Sequence, residues 1–241
     1  MSVWTPCKDP VPVITSRLSI SPEEASRRLS KLSCTTLPSE AGLALAERAA
    51  NAGTSHLPGL TNVYRRQASM TTCGVATMAT ALDYLNRPRN NHENSSDKSR
   101  DLTSEEELFS LAGSTLNESE VRTRGMTLAT LARACSKLFP TSTIQQPATV
   151  ADLKQVLEEH FHCEKASSVL LCNYSMAVAG QGDWWSGHIS PVGAYVDGQV
   201  LIMDVWMYTA PCWVSLETLL AATRDVDSDS GCPRGFVRVT N

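Results

Sequence analysis

The chain of 241 residues carries a net charge of −4, with 42% hydrophobic and 19% charged residues, which suits one large domain or two small ones. A sequence pI near 5.7 argues against a protein that holds nucleic acid by neutralising phosphates. No apolar run reaches the roughly 18–20 residues of a membrane-spanning helix. The eight cysteines are scattered, with no Cys-x-x-Cys pair, unlike a small disulfide-stapled secreted scaffold. With no continuous apolar stretch in MSVWTPCKDPVPVITS, the expectation is a reduced, cytoplasmic protein whose cysteines are mostly small buried hydrophobes.

In chain order, residues 1–38 are rich in Ser, Thr, Pro and Arg and read as a weakly ordered extension, with a helix only at 21–32. SEAGLALAERAANAG, from Ser39 to Gly53, opens on a capping Ser and closes on Gly, the signature of a helix. LTNVYRRQ (60–67) reads as an extended approach to a buried helix that begins near Cys73 and places Val75, Met78, Ala79, Leu82 and Leu85 at helical spacing. The polar stretch 86–103 is a surface loop, and helices follow at 104–112, 126–138 and 149–161. The character then changes. Short β-branched runs at 167–176, 188–196, 199–208 and 235–240 read as strands, with a helix at 215–225 between the last two. Helices first and an antiparallel sheet last define an α+β protein, with residues 39–241 as one domain.

Cys73 is the cysteine whose setting favours reactivity. It stands at the start of a helix, where the dipole stabilises a thiolate, whereas Cys135 and Cys172 fall at apolar positions of a helix and a strand. A thiolate nucleophile needs a base and a group to orient it. Among five histidines, His188 opens a strand directly after Gly187. Asp204 is embedded in VLIMDVW and must be paired, because an unpaired buried carboxylate is costly. A two-residue Asp197-Gly198 turn would set Val196 opposite Gln199 and send His188 and Asp204 to opposite faces. A three-residue Val196-Asp197-Gly198 loop would set Tyr195 opposite Gln199 and bring them to one face. The sequence permits both, and the second gives Asp204 its partner. Gln67, upstream of Cys73, can supply an oxyanion donor alongside the Cys73 backbone N–H. Gln, Cys at a helix start, His on a strand and an orienting carboxylate together form the arrangement of papain-like enzymes.

The motifs RRQASMTTCGVATM around Cys73, RGMTLATLAR at 124–133, GHISPVGAY around His188, VLIMDV around Asp204 and RGFVRV near the end resemble the phytochelatin synthases. These are glutathione γ-glutamylcysteinyltransferases of the papain-like superfamily, and the likeness spans about Ser39 to Val239. It implies an N-terminal helical lobe carrying Cys73 and a C-terminal sheet carrying His188 and Asp204. It further implies that Cys73 takes the γ-glutamylcysteinyl group from glutathione as a thioester, with His188 as base and acid, and passes it to a second glutathione. Arg234, Asp227, Gly74 and Gly187 fall at substrate-binding positions. No organic cofactor and no protein-bound metal is implied; Cd2+ or Zn2+ enters as a metal thiolate of the substrate, in metal detoxification. Glutathione and related thiol peptides are the expected partners, without nucleic acid or membrane, and a homodimer is an open option.

Two departures bear on the second substrate. Met207 stands where these synthases have an arginine after the catalytic Asp, and Ser175-Met176 where a basic residue is usual. Both exchanges read as apolar surface near the second site, and they keep open a hydrolase that releases γ-Glu-Cys from glutathione or its S-conjugates. A rival reading without catalysis groups His160, His162 and Cys163 as soft-metal ligands, short of a fourth.

Overall fold

A computed structural model describes residues 22–86, 102–162, 168–183 and 187–241. Its helices are α1 (Pro22–Leu29), α2 (Glu40–Asn51), α3 (Leu57–Thr61), α4 (Cys73–Asn86), α5 (Glu105–Ala112), α6 (Glu118–Arg124), α7 (Leu128–Leu138), α8 (Val150–Phe161) and α9 (Leu216–Arg224). Its strands are β1 (Thr35–Thr36), β2 (Thr141–Gln145), β3 (Ser168–Ser175), β4 (Gly187–Val196), β5 (Gln199–Ile202), β6 (Cys212–Ser215) and β7 (Gly235–Thr240). They form a seven-stranded sheet in the order β1-β6-β5-β4-β3-β7-β2, antiparallel at every pairing. The fold is therefore α+β, as expected.

Local chemistry sets the helix starts. Side-chain oxygens of Ser39, Ser104, Asn117, Thr127, Thr149 and Ser215 each accept a first-turn backbone N–H, and Asp152 completes a reciprocal capping box with Thr149. Each such cap contributes about 1 kcal/mol.

Several sequence expectations change. Residues 22–38 are part of the fold rather than a loose extension: Ser33 and Cys34 donate their N–H groups to the Gly180 carbonyl, β1 pairs with β6, and Leu37 is fully buried. Residues 1–21 and most of the 86–103 loop lie outside the described residues. The 60–67 approach begins inside α3. The 199–208 run ends as a strand at Ile202, and β6 is a separate strand. Helix α6 and strand β2 are additions. β2, TSTIQ, is polar and partly exposed at the sheet edge, so it lacks the alternation that marks a half-buried strand.

Helices cover both faces of the sheet. On one, Val75, Met78 and Ala79 of α4, with α5 and α7, pack on Val169, Leu171, Ile189, Val237 and Val239. On the other, Leu153 and Leu157 of α8 and Leu219 of α9 pack on Leu170, Cys172, Val192, Val200 and Phe236. A smaller cluster under α2 and α3 holds Leu37, Leu60, Ala194, Met203 and Trp213. Burying one such Leu or Phe is worth about 1.5–3 kcal/mol. Cys135 and Cys172 lie in this core, each 0% exposed.

Candidate active site

Cys73 is the first residue of α4 and 7% exposed; the Thr72 carbonyl accepts the Ala76 N–H and starts the helix. Gly74 sits where a Cβ would come within 2.6 Å of the Met126 methyl, so α4 seats its first turn against Met126 and Ile189.

His188 and Asp204 come together. His188 Nε2 lies 2.9 Å from Asp204 Oδ1, and the two side chains are 4% and 0% exposed. The loop is the two-residue turn, with Val196 opposite Gln199 and both Asp197 and Gly198 at positive φ, so the three-residue loop of the sequence reading is wrong. The extra residue is Gly193. Pairing shifts between Val192, opposite Ile202, and Ala194, opposite Leu201. The shift changes parity: Val192 faces the α8–α9 side, whereas Ala194 and Val196 join the cluster under α2. The Gly193 carbonyl accepts the His56 N–H at 2.9 Å, so the bulge leaves its oxygen satisfied.

Asp204 is surrounded by donors. Besides His188, Oδ1 accepts the Trp206 N–H at 2.8 Å; Oδ2 accepts Gln181 Nε2 at 2.8 Å and the Thr209 hydroxyl. Burying a carboxylate costs several kcal/mol, and hydrogen bonds to a charged group, of about 1.5–3 kcal/mol each, offset that cost and fix its orientation. Tyr64 donates its hydroxyl to the Asp204 carbonyl. The His188 ring stands edge-on between Tyr174 and Trp206, with centroids at 5.7 and 6.3 Å.

Burial opposes a charge on His188, but the Asp204 carboxylate and the neighbouring Cys73 side chain outweigh it and raise its pKa to about 10. With Nε2 on Asp204, Nδ1 is the nitrogen left for the Cys73 side. The group can therefore hold an imidazolium next to a sulfur at a helix N-terminus, a setting that activates a thiol.

Gln67 is 3% exposed. Its backbone N–H bonds to the Val205 carbonyl, which ties it to the Asp204 segment, and its Nε2 donates to the Ser69 carbonyl at 2.6 Å. Glu105, which the sequence gave no reason to single out among SEEEL, accepts the Ala68 N–H at 2.8 Å and so fixes the turn between Gln67 and Cys73. Gln181 and Thr209 were likewise missed; the signal for Gln181 is a polar residue between Gly180 and Gly182, both at positive φ.

Arg234 is 7% exposed, with Nη1 3.6 Å from Asp227 Oδ1 and Nε 3.8 Å from Asp225 Oδ2. Its guanidinium lies against Gly187, where any Cβ would collide with it, so Arg234 reaches the start of the His188 strand. The two departures differ. Met207 is half-buried and its carbonyl accepts Arg66 Nη1. Met176 is 2% exposed and packs in the core, so it is not the apolar surface expected at that position.

Of the rival metal cluster, the two histidines are among the described residues, and each bonds elsewhere through one ring nitrogen. His160 is buried with Nδ1 on Ser168 Oγ at 2.8 Å, and His162 is exposed with Nδ1 on the Glu158 carbonyl. Cys163 lies outside the described residues. Among the described residues no group of three or more His, Cys, Asp or Glu could hold a metal, and no helix is long and apolar enough to cross a membrane.

Comparison with known proteins agrees with the motifs. A segment of the chain is 37% identical over 75 residues to a glutathione gamma-glutamylcysteinyltransferase of Schizosaccharomyces pombe. That match covers 30% of this chain and 17% of the yeast protein. The family model for phytochelatin synthase matches residues 25–236, nearly the whole of the chain, including every residue of the Cys73, His188 and Asp204 cluster. The chain belongs to the phytochelatin synthase family.

Proposed function

We propose that the protein is a glutathione γ-glutamylcysteinyltransferase that works by a papain-like mechanism, with Cys73 as nucleophile. The observation that carries this reading is His188, bonded to Asp204 through one ring nitrogen and close enough to the Cys73 side chain, at the start of its helix, for that sulfur to raise the imidazole pKa. The Cys73 thiolate attacks the carbonyl of the Cys–Gly peptide bond of glutathione. The Gln67 amide and the Cys73 N–H stabilise the oxyanion. His188 gives its proton to the leaving glycine amine, and the γ-glutamylcysteinyl thioester remains. His188 then takes a proton from the amine of a second glutathione as that amine displaces Cys73. Arg234 and Asp227 offer opposite charges to the free carboxylate and amine of the γ-glutamyl group. Cd2+ or Zn2+ acts as part of a metal-thiolate substrate, which links the reaction to metal detoxification.

Met207, in place of the arginine of related synthases, favours a second reading in which water takes the acyl group and γ-Glu-Cys is released. One incubation with glutathione separates the two. Free glycine with (γ-Glu-Cys)2-Gly supports transfer; glycine with γ-Glu-Cys alone supports hydrolysis. A Cys73→Ser protein that keeps full glycine release overturns both.

A further inference from the structure

Residues 32–36 run between the loop that carries Gln181 and strand β6. Leu32 bridges Gln181, Ser33 and Cys34 donate to the Gly180 carbonyl at 2.8 and 3.3 Å, and Thr36 pairs with Cys212. Cys34 thus lies one residue before the strand that pairs with β6 at Trp213 and Cys212. Cys212 belongs to the core cluster under α8 and α9, and Cys34 packs against that same cluster, close enough for each thiol to shift the other's pKa. They differ in access: Cys212 is 1% exposed, while Cys34 is partly open to solvent. Cys212 Sγ also accepts Gln181 Nε2 at 3.2 Å, and the same nitrogen donates to Asp204 Oδ2 at 2.8 Å. The pair thus lies one side chain away from Asp204.

An accessible thiol beside a buried one is the arrangement of an attacking and a resolving cysteine. The neighbouring Cys212 side chain lowers the pKa of Cys34, while Cys34 and burial raise that of Cys212. Cys34 sits at a bend beside a two-residue strand, where the backbone can give as the sulfurs close to about 2.05 Å.

We propose that Cys34 and Cys212 form a redox-active dithiol, which glutathione disulfide closes to an intramolecular disulfide beside Gln181. The Cys34 thiolate attacks one sulfur of glutathione disulfide; that S–S bond breaks and the first glutathione leaves as a thiolate. Cys212 gives its proton to the departing thiolate or to water and attacks Cys34 Sγ, now in a mixed disulfide, and the second glutathione leaves. Two protein thiols are oxidised and one glutathione disulfide is reduced to two glutathiones. The new bond ties residues 32–36 to β6 and alters the second acceptor of the Gln181 amide that holds Asp204. Only the choice of oxidant rests on the proposed glutathione chemistry.

The test uses full-length Cys73→Ser protein, which removes the competing reactive thiol, incubated with glutathione disulfide, alkylated under denaturing conditions and mapped by mass spectrometry. The expected product joins the Cys34 and Cys212 peptides with loss of two hydrogens. Exposed Cys232 stops at a glutathione adduct and serves as an internal control. In Cys212→Ser protein Cys34 also stops at the adduct, and in Cys34→Ser protein Cys212 stays alkylatable. A lasting adduct on Cys34 with Cys212 free, or both residues alkylated after treatment, overturns the proposal. Glycine release by the unsubstituted protein is measured separately: a linked pair without turnover sinks the proposed function alone, and turnover without the link sinks the dithiol alone.

Discussion

His188 and Asp204 meet at 2.9 Å because Gly193, between them in sequence, inserts one unpaired residue into β4. Without that residue the Asp197-Gly198 turn would turn the imidazole and the carboxylate to opposite faces. Deleting Gly193 is therefore expected to separate the pair and to lower glutathione cleavage by at least about 100-fold, the scale of a lost acid–base group. Gly193→Ala is milder. Its Cβ would lie 2.8 Å from Met203 Cγ and 3.2 Å from Leu201 Cδ2, flexible side chains that can yield at a cost of about 1–3 kcal/mol. Urea denaturation gives that cost, and turnover of the folded variant stays within a few-fold of the parent. Equal activity in the deletion variant would mean that the bulge does not position the pair.

Asp204→Asn tests what keeps the His188 proton. Burial alone disfavours the imidazolium, and Asp204 is the leading group that reverses this. Without its charge the His188 pKa falls from about 10 towards or below the ordinary value of about 6.5. A pKa raised in the folded state contributes stability that is complete below the unfolded value of 6.5 and is lost as pH rises through about 10. The stability gap between parent and Asp204→Asn is accordingly widest below pH 6.5 and narrows towards pH 10. Thermal unfolding across that window measures the gap, and the pH dependence of Cys73 alkylation reports the imidazolium directly. A gap that widens with rising pH contradicts the assignment.

The elements with strong local signals were readable from sequence. Ser39, Ser104, Thr127 and Thr149 announce their helices because a cap is a short-range interaction. Cys73 at a helix start and the pairing of His188 with Asp204 were readable because a carboxylate inside VLIMDVW requires a partner. The source of their common face was not. A bulge at Gly193 depends on its carbonyl finding the His56 N–H and on its bare Cα fitting against Met203, both contacts between distant parts of the chain. β1 and β2 escaped for the same reason: TT and TSTIQ become strands by pairing with β6 and β7, not by an alternating pattern of their own. Met176 packs in the core, a placement set by the elements that cover it and not by the short run Ser175-Met176 itself.

Gly187 gives a way to test Arg234 as a substrate-binding residue. Arg234 lies over it, so Gly187→Ala must push the guanidinium away from the start of β4. If Arg234 holds the γ-glutamyl carboxylate, both Gly187→Ala and Arg234→Lys raise KM for glutathione by about tenfold, equivalent to about 1.4 kcal/mol of binding, and lower kcat less. Steady-state kinetics on the two variants check this. An unchanged KM in both would remove Arg234 from the substrate site.

Glu105 links the turn before Cys73 to helix α5 and makes a two-part prediction. Burial raises its pKa above the ordinary carboxylate value, against opposing hydrogen bonds from Ala68 and Thr72, and Oε2 is buried with no hydrogen-bond partner. A carboxyl with a raised folded pKa favours the folded state below the unfolded value of 4.5, and that contribution is lost as pH rises through the folded value. Glu105→Gln keeps an oxygen for the Ala68 N–H and removes the ionisation. It is expected to match or exceed the parent in stability at neutral pH, and to lose that advantage in acid. Glu105→Ala leaves the buried Ala68 N–H without its acceptor, at a cost of about 1–3 kcal/mol. Because Ala68 follows Gln67 and Thr72 precedes Cys73, the alanine variant also lowers kcat, while the glutamine variant holds it. Urea midpoints from about pH 4 to about pH 8, with kcat at neutral pH, test both parts. A glutamine variant as slow as the alanine variant would show that the charge of Glu105, rather than its hold on the turn, serves the reaction.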